Sequence, residues 1–124
     1  MAMDIGKVGW VDLTVKDAET VRDFYAQVIG WTVEEVGMGG YSDYSMVPPG
    51  GKEPAAGICH ARGMNGKIPP QWLVYVPVAD LTASIEACKS LGGKVLDGPR
   101  DMGGQMFACI QDPAGAVMAL VGPV

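Results

Sequence analysis

One pattern occurs twice in this chain, and that repetition limits its fold more than any other feature. Trp10-Val11-Asp12-Leu13-Thr14-Val15-Lys16-Asp17 leads into a helical run that closes at Ile29-Gly30-Trp31. Leu73-Val74-Tyr75-Val76-Pro77-Val78-Ala79-Asp80 leads into another that closes at Gly92-Gly93. A single offset of 63 residues carries Val15 to Val78, Asp17 to Asp80 and Gly30 to Gly93, and twice that offset is about the whole 124-residue length. The chain therefore reads as one domain, 1–124, made of two repeats. A domain of this size buries roughly two-thirds of the surface its unfolded form exposes.

The period of the apolar residues sets the elements. Residues 1–6 read as a loose lead-in. From Val8 to Val15, Val11, Leu13 and Val15 share one strand face, and Trp10, Asp12 and Thr14 the other. Asp17 is placed as an N-cap, with Glu19 in the first turn where the helix dipole favours negative charge. Val21, Phe24, Tyr25, Val28 and Ile29 then fall at i, i+3, i+4, i+7 and i+8, one helical stripe that Gly30 stops. Strands follow over 31–36, 41–47 and 55–61, parted by the turns Gly37-Met38-Gly39-Gly40 and Pro48-Pro49-Gly50-Gly51. The second half repeats the order. A strand over 71–78 carries Pro77, which cannot donate to a ladder and so belongs at an edge or with its nitrogen turned outward. Asp80 caps a helix whose apolar side is Leu81, Ile85, Cys88 and Leu91. A strand over 94–96, a loop over 97–104, a strand over 105–111, the turn Asp112-Pro113-Ala114-Gly115 and a strand over 116–121 complete it.

The expected fold class is α+β: two βαβββ modules in tandem, 7–62 and 71–123 with a 63–70 linker, forming a curved mixed sheet or half-barrel around a cavity. A single module leaves one sheet face bare, because its helix covers only the other. Two modules can close their bare faces around a lined interior, where a small molecule would sit.

The charge balance removes other classes. Fourteen acidic against nine basic residues give a net charge of −5, and no Lys/Arg cluster occurs, so neither nucleic acid nor an anionic membrane is an expected partner. Uncharged stretches such as Pro113–Val124 fall short of the ~20 residues that a membrane span needs. The first residues lack a basic start and an apolar signal core. Cys59, Cys88 and Cys109 make no zinc-type or redox pair and read as free thiols of a cytoplasmic protein.

With these elements in place, the pattern resembles the vicinal oxygen chelate superfamily of glyoxalases, extradiol dioxygenases and bleomycin-resistance proteins. The residues that carry the resemblance are Phe24-Tyr25 with Ile29-Gly30-Trp31, and Leu91-Gly92-Gly93 with Asp112-Pro113-Ala114-Gly115. Trp10-Val11-Asp12-Leu13, Phe24-Tyr25 and Trp72/Tyr75 are similar to its glyoxalase-like or hydroxylase-like branch. The resemblance implies a divalent metal held by strands of both halves. The matching positions fall on Trp10, on or beside Cys59, and on Leu73 and Ala119 within one residue of register in the second half. Indole, isobutyl and methyl groups cannot ligate a hard or borderline cation. Neither a metal nor another cofactor is therefore expected. The resemblance also implies a homodimer, since many relatives build each cavity across two chains.

The remaining candidates are weighed by strand geometry. His60, the one histidine, has no second histidine for a metal, and as the strand neighbour of Cys59 it points to the opposite face. That rules out a Cys59–His60 nucleophile–base pair on a regular strand and leaves His60 as a surface or edge residue, or as a proton carrier. Asp12 shares the face of Trp10, and a carboxylate there needs a partner or solvent. It is either a ligand anchor or general base, or a group satisfied by Thr14, a tyrosine or backbone amides. Trp10, Trp72, Tyr75, Tyr41 and Tyr44 divide between pocket walls and core. Met38, Met46, Met102 and Met106 suit an adaptable apolar pocket or core filling. The glycine clusters, including Gly50-Gly51-Lys52, lie between strands and are turns, not phosphate loops.

The expected pocket is Trp10, Asp12, Tyr41, Cys59, Leu73, Tyr75 and Ala119, with Asp12 the catalytic candidate. The expected function is binding of a compact apolar or aromatic small molecule without the usual metal. Two alternatives stand beside it. One is a metal-dependent lyase or dioxygenase using Asp12, Cys59 and His60. The other is resistance-type sequestration without chemistry.

Overall fold

The computed structural model describes residues 4–123. They fall into two compact units, one spanning Val11–Trp72 and the other joining the described part of Met1–Trp10 to that of Leu73–Val124. Each holds one βαβββ module, in the predicted order.

The first module consists of β1 (Trp10–Val15), α1 (Ala18–Ile29), β2 (Thr32–Gly37), β3 (Ser42–Val47) and β4 (Ala56–His60). β2 pairs antiparallel with β3, β3 antiparallel with β4, and β4 parallel with β1. The period-two pattern of β1 orients as expected. Leu13 joins Ala18, Tyr44, Met46 and Ile58 in the core, with Val15, Val21, Tyr25, Trp31 and Trp72 packed around them. Trp72 donates from Nε1 to the Tyr25 hydroxyl at 3.0 Å, so it belongs to this aromatic core, as does Tyr44.

Two expectations for α1 change. Asp17 precedes the helix, but its side chain makes no capping bond, because its backbone (φ −105°, ψ 60°) is not that of a typical cap. Of the apolar stripe, Val21 and Tyr25 are half-buried, whereas Phe24, Val28 and Ile29 are 56%, 63% and 46% exposed. Gly30 ends the helix as predicted, at φ +87°, where its N–H bonds to the Ala26 carbonyl. The expected linker contains a 3₁₀ turn, Gly63–Lys67.

The second module consists of β5 (Trp72–Pro77), α2 (Leu81–Ser90), β6 (Lys94–Met102), β7 (Gln105–Gln111) and β8 (Val117–Pro123). Its strands lie in the order β5-β8-β7-β6, with β5 parallel to β8. Asp80 caps α2 by accepting from the Ala83 N–H at 3.1 Å. Leu81 and Ile85 bury against Ala108 and Leu120. Leu91 does not: it lies past the last helical residue and is 77% exposed.

The lead-in is not loose where the structure describes it. Gly6 and Gly9 donate their N–H groups to the carbonyls of Pro77 and Tyr75, at 2.8 and 2.9 Å. β6 corrects the sequence reading further, since the predicted 97–104 loop is strand as far as Met102. Register shifts between Val95 and Asp97 and between Asp97 and Arg100 absorb the extra residues as bulges. Gly98 sits at φ +86°, and a Cβ there would lie 2.5 Å from the Phe107 carbonyl oxygen. The glycine marks close approach of two backbones within the sheet, where composition alone suggested a turn. Among the described residues no helix is long and apolar enough to cross a membrane.

Candidate functional site

The face of the first module turned away from α1 carries its chemistry. β1 and β4 run parallel with Asp12 opposite Gly57 and Thr14 opposite Cys59, so Asp12, Thr14 and Cys59 share that face. On β3, Tyr44 points towards α1, which puts Asp43 on the same side as Asp12. The Cys59 thiol donates to Asp12 Oδ2 at 3.3 Å. Asp43 is buried, and its Oδ1 accepts the His60 N–H at 2.8 Å and lies 3.2 Å from His60 Nδ1.

These partners decide what the cysteine can do. Burial, and then the charges of Asp12 and Asp43, hold the Cys59 thiol far above the usual thiol range. A thiolate is the reactive form, so Cys59 is a neutral hydrogen-bond donor rather than a nucleophile. As predicted, Cys59 and His60 do not bond each other: the Cys59 thiol bonds Asp12 and also interacts with Asp43, and His60 bonds Asp43. His60 is not a surface residue, however. Its ring lies between Tyr41 and Tyr44, with centroids 5.6 and 5.9 Å away. The guanidinium of Arg22 stands 4.6 Å from the Tyr44 ring and that of Arg62 stands 3.9 Å from the Tyr41 ring. Arg22, Tyr44, His60, Tyr41 and Arg62 thus form one row of aromatic and cationic groups.

Sequence reasoning missed Asp43 and this row. The available signal was an aspartate in the middle of an alternating strand, Tyr41-Ser42-Asp43-Tyr44, where a carboxylate needs a donor.

In the second module, Leu73, Tyr75 and Ala119 lie on the sheet face turned away from α2 and are only 1%, 7% and 0% exposed. Tyr75 packs on Phe107 with ring centroids 5.9 Å apart. Arg100 lies over that Phe107 ring at 5.0 Å and donates from a terminal nitrogen to Asp97 Oδ2 at 3.0 Å. Cys109 is buried too, and burial followed by the Asp97 charge pushes its thiol up to about 11. The pairing Pro77 with Val121 puts Val121, not Ala119, at the place equivalent to Cys59, since Ala119 pairs with Tyr75.

Cavities open on both units. One of about 360 Å³ is lined by Tyr41, Arg62, Gly63, Met64 and Asn65. A second, about 300 Å³, is lined by residues that include Thr14, Lys16, Ala61 and Ile68. The third, about 470 Å³, lies in the second module beside Asp80, Pro99 and Met106.

The donor set does not fit the divalent metal that the resemblance implies. Trp10, Leu73 and Ala119 offer no ligand atom, which leaves Cys59 alone among the four positions with a donor. Among the described residues no group of three or more His, Cys, Asp or Glu side chains is arranged to hold a metal ion.

Fold and sequence together define the class. Residues 7–120 match the model of the Glyoxalase/Bleomycin resistance protein/Dioxygenase superfamily, and the chain belongs to that family. Within it, the chain is 34% identical over 116 residues to the anthracycline biosynthesis protein DnrV of Streptomyces peucetius, an alignment covering 94% of this chain and 41% of that protein. It is 33% identical over 118 residues to CFP32 of Mycobacterium bovis, provisionally named a glyoxylase, covering 93% and 45% respectively. The chain thus spans less than half the length of these curated relatives. Among solved structures, the fold is shared with methylmalonyl-CoA epimerase of Mycobacterium tuberculosis at a TM-score of 0.51 and 20% identity, covering 98% of this chain and 93% of that one. The epimerase of Streptomyces coelicolor gives 0.54 and 16%, covering 98% and 99%.

Proposed function

We propose that this protein binds a compact apolar or aromatic small molecule without a metal, anchored by the Asp12 carboxylate. The observation that carries the reading is the Asp12–Cys59 pair: a half-buried carboxylate on the face turned away from α1, beside a thiol that stays neutral and cannot compete for positive charge. A carboxylate so placed can accept from a ligand hydroxyl or ammonium, or take a proton from it. Relatives named for anthracycline biosynthesis support a planar aromatic ligand as the first to test. The homodimer expected from the resemblance is part of this reading. Sedimentation showing only a species near 13.0 kDa would refute that part.

Titration with an anthracycline, followed by quenching of tryptophan fluorescence, tests the proposal. Saturable binding that is unchanged by chelator, and about tenfold weaker in Asp12→Asn (a loss of roughly 1.4 kcal/mol), is expected. Binding or turnover that chelator abolishes and one divalent metal restores would favour a glyoxalase-like lyase or dioxygenase instead. Unaltered recovery of the ligand, checked by mass spectrometry, separates sequestration from catalysis.

A further inference from the structure

The cavity at Tyr41 is lined by neither Asp12 nor Cys59 and has a different character. Of the three arginines in the sequence, two have a carboxylate: Arg22 bonds Asp23 at 2.9 Å, and Arg100 bonds Asp97. Arg62 has none among the described residues, although acidic groups outnumber basic ones fourteen to nine. Its guanidinium instead rests on the face of Tyr41, 3.9 Å from the ring centroid. The Tyr41 ring also meets the His60 ring nearly at right angles, with centroids 5.6 Å apart. An arginine held flat on an aromatic ring loses little freedom on binding and keeps its N–H edge directed outward, in the fork that suits an oxyanion. No aspartate or glutamate lines this cavity. The same is true of the second cavity bordering the 61–70 segment, to which Lys16 contributes. The cavity of the second module has the opposite character, with Asp80 and no cation.

We propose that the Tyr41–Arg62 cavity is an oxyanion site, taking the phosphate ester or carboxylate group of a small molecule in the fork of Arg62, with Met64 and the Tyr41 ring edge against its apolar part. On a chain of net charge −5, such a site must act by local geometry rather than by a long-range positive field.

The test uses phenyl phosphate and benzoate as probes. The reporters are the NMR shifts of the Arg62 Nε–H and the Gly63 amide in the full chain, with sodium chloride at matched ionic strength as the control. Saturating shifts are expected with at least one probe. Affinity should fall at least tenfold in Arg62→Gln and by a smaller factor in Arg62→Lys, which keeps the charge but loses the fork. Tighter binding of phenyl phosphate than of benzoate would identify a phosphate-ester site, and the reverse a carboxylate site. Shifts that do not saturate, that sodium chloride reproduces, or that survive unchanged in Arg62→Gln would overturn the proposal. Arg62 is exposed, so both variants should fold. Asp12 does not line this cavity, so this result does not depend on whether the aromatic-ligand reading holds.

Discussion

The two modules present equivalent positions to very different neighbours. In the first, Asp12, Asp43 and Cys59 stand on the sheet face turned away from the helix. In the second, the paired-strand register places Tyr75, Phe107 and Val121 at the same three positions. One set forms a hydrogen-bonded polar cluster, and the other forms a packed aromatic layer whose only charges, Asp97 and Arg100, neutralise each other. A shared backbone scaffold therefore does not impose shared chemistry. At these positions the second module packs apolar side chains, and the first holds polar groups in a hydrogen-bonded cluster.

That contrast can be broken most directly by truncating the matched positions. Phe107→Ala should cost about 3–5 kcal/mol in urea unfolding, because the ring is wholly buried and leaves a cavity. Asp43→Ala should cost less, about 1–3 kcal/mol, since it removes little apolar volume but leaves the His60 N–H without its acceptor. Equal losses, or the reverse order, would contradict the division into a packed and a polar face.

Stability at high pH sharpens the comparison next. Both Cys59 and Cys109 have raised thiol pKa values in the folded state, so the folded protein holds these protons longer than the unfolded chain does. Their contribution is complete below the ordinary thiol value of 9.0 and declines as pH rises through it. For Cys109 the decline runs towards about 11. Denaturation measured from pH 8 to 11 should therefore show a flatter fall in Cys109→Ala than in the parent. A parallel pair of curves would show that Cys109 carries no such linkage.

The smallest effect concerns thiol reactivity. At pH 8 native Cys59 should resist alkylation, and Asp12→Asn should raise its rate by only a few-fold. Burial is the larger cause of the shift, and the Asp12 charge comes second. Mass spectrometry of the modified peptides reads this directly. Rapid alkylation of Cys59 in the parent protein would show that the thiol is not held neutral.

Much of the scaffold was legible from residue order. The period-two pattern of Val11, Leu13 and Val15 and the glycine stop at Gly30 both match the structure, and so does the cap at Asp80. Where local cues failed, another part of the chain had prevailed. Gly98-Pro99 has the composition of a turn, but pairing with β7 holds it in a bulged strand. Gly6 and Gly9 have no strand pattern, yet β5 offers them two carbonyls. Leu91 looked like the end of an apolar stripe, but the helix stops one residue before it.

The candidate site was legible only in part. Asp12 was singled out by its strand face and Cys59 by the position the resemblance assigns, and strand alternation correctly separated Cys59 from His60. Their bond to each other was not foreseeable, since 47 residues lie between them and only the parallel pairing of β1 with β4 brings them together. Asp43 and Arg62 carried no motif at all.

By itself, the sequence determined the doubled βαβββ order and the absence of metal-ligating side chains at Trp10, Leu73 and Ala119, because periodicity and side-chain chemistry are local properties. Tertiary structure decided which polar groups meet. It set Cys59 against Asp12, His60 against Asp43 and Arg62 against Tyr41, and it packed Tyr75 onto Phe107. Strand register creates these meetings, and register is a property of pairs of segments rather than of either one alone.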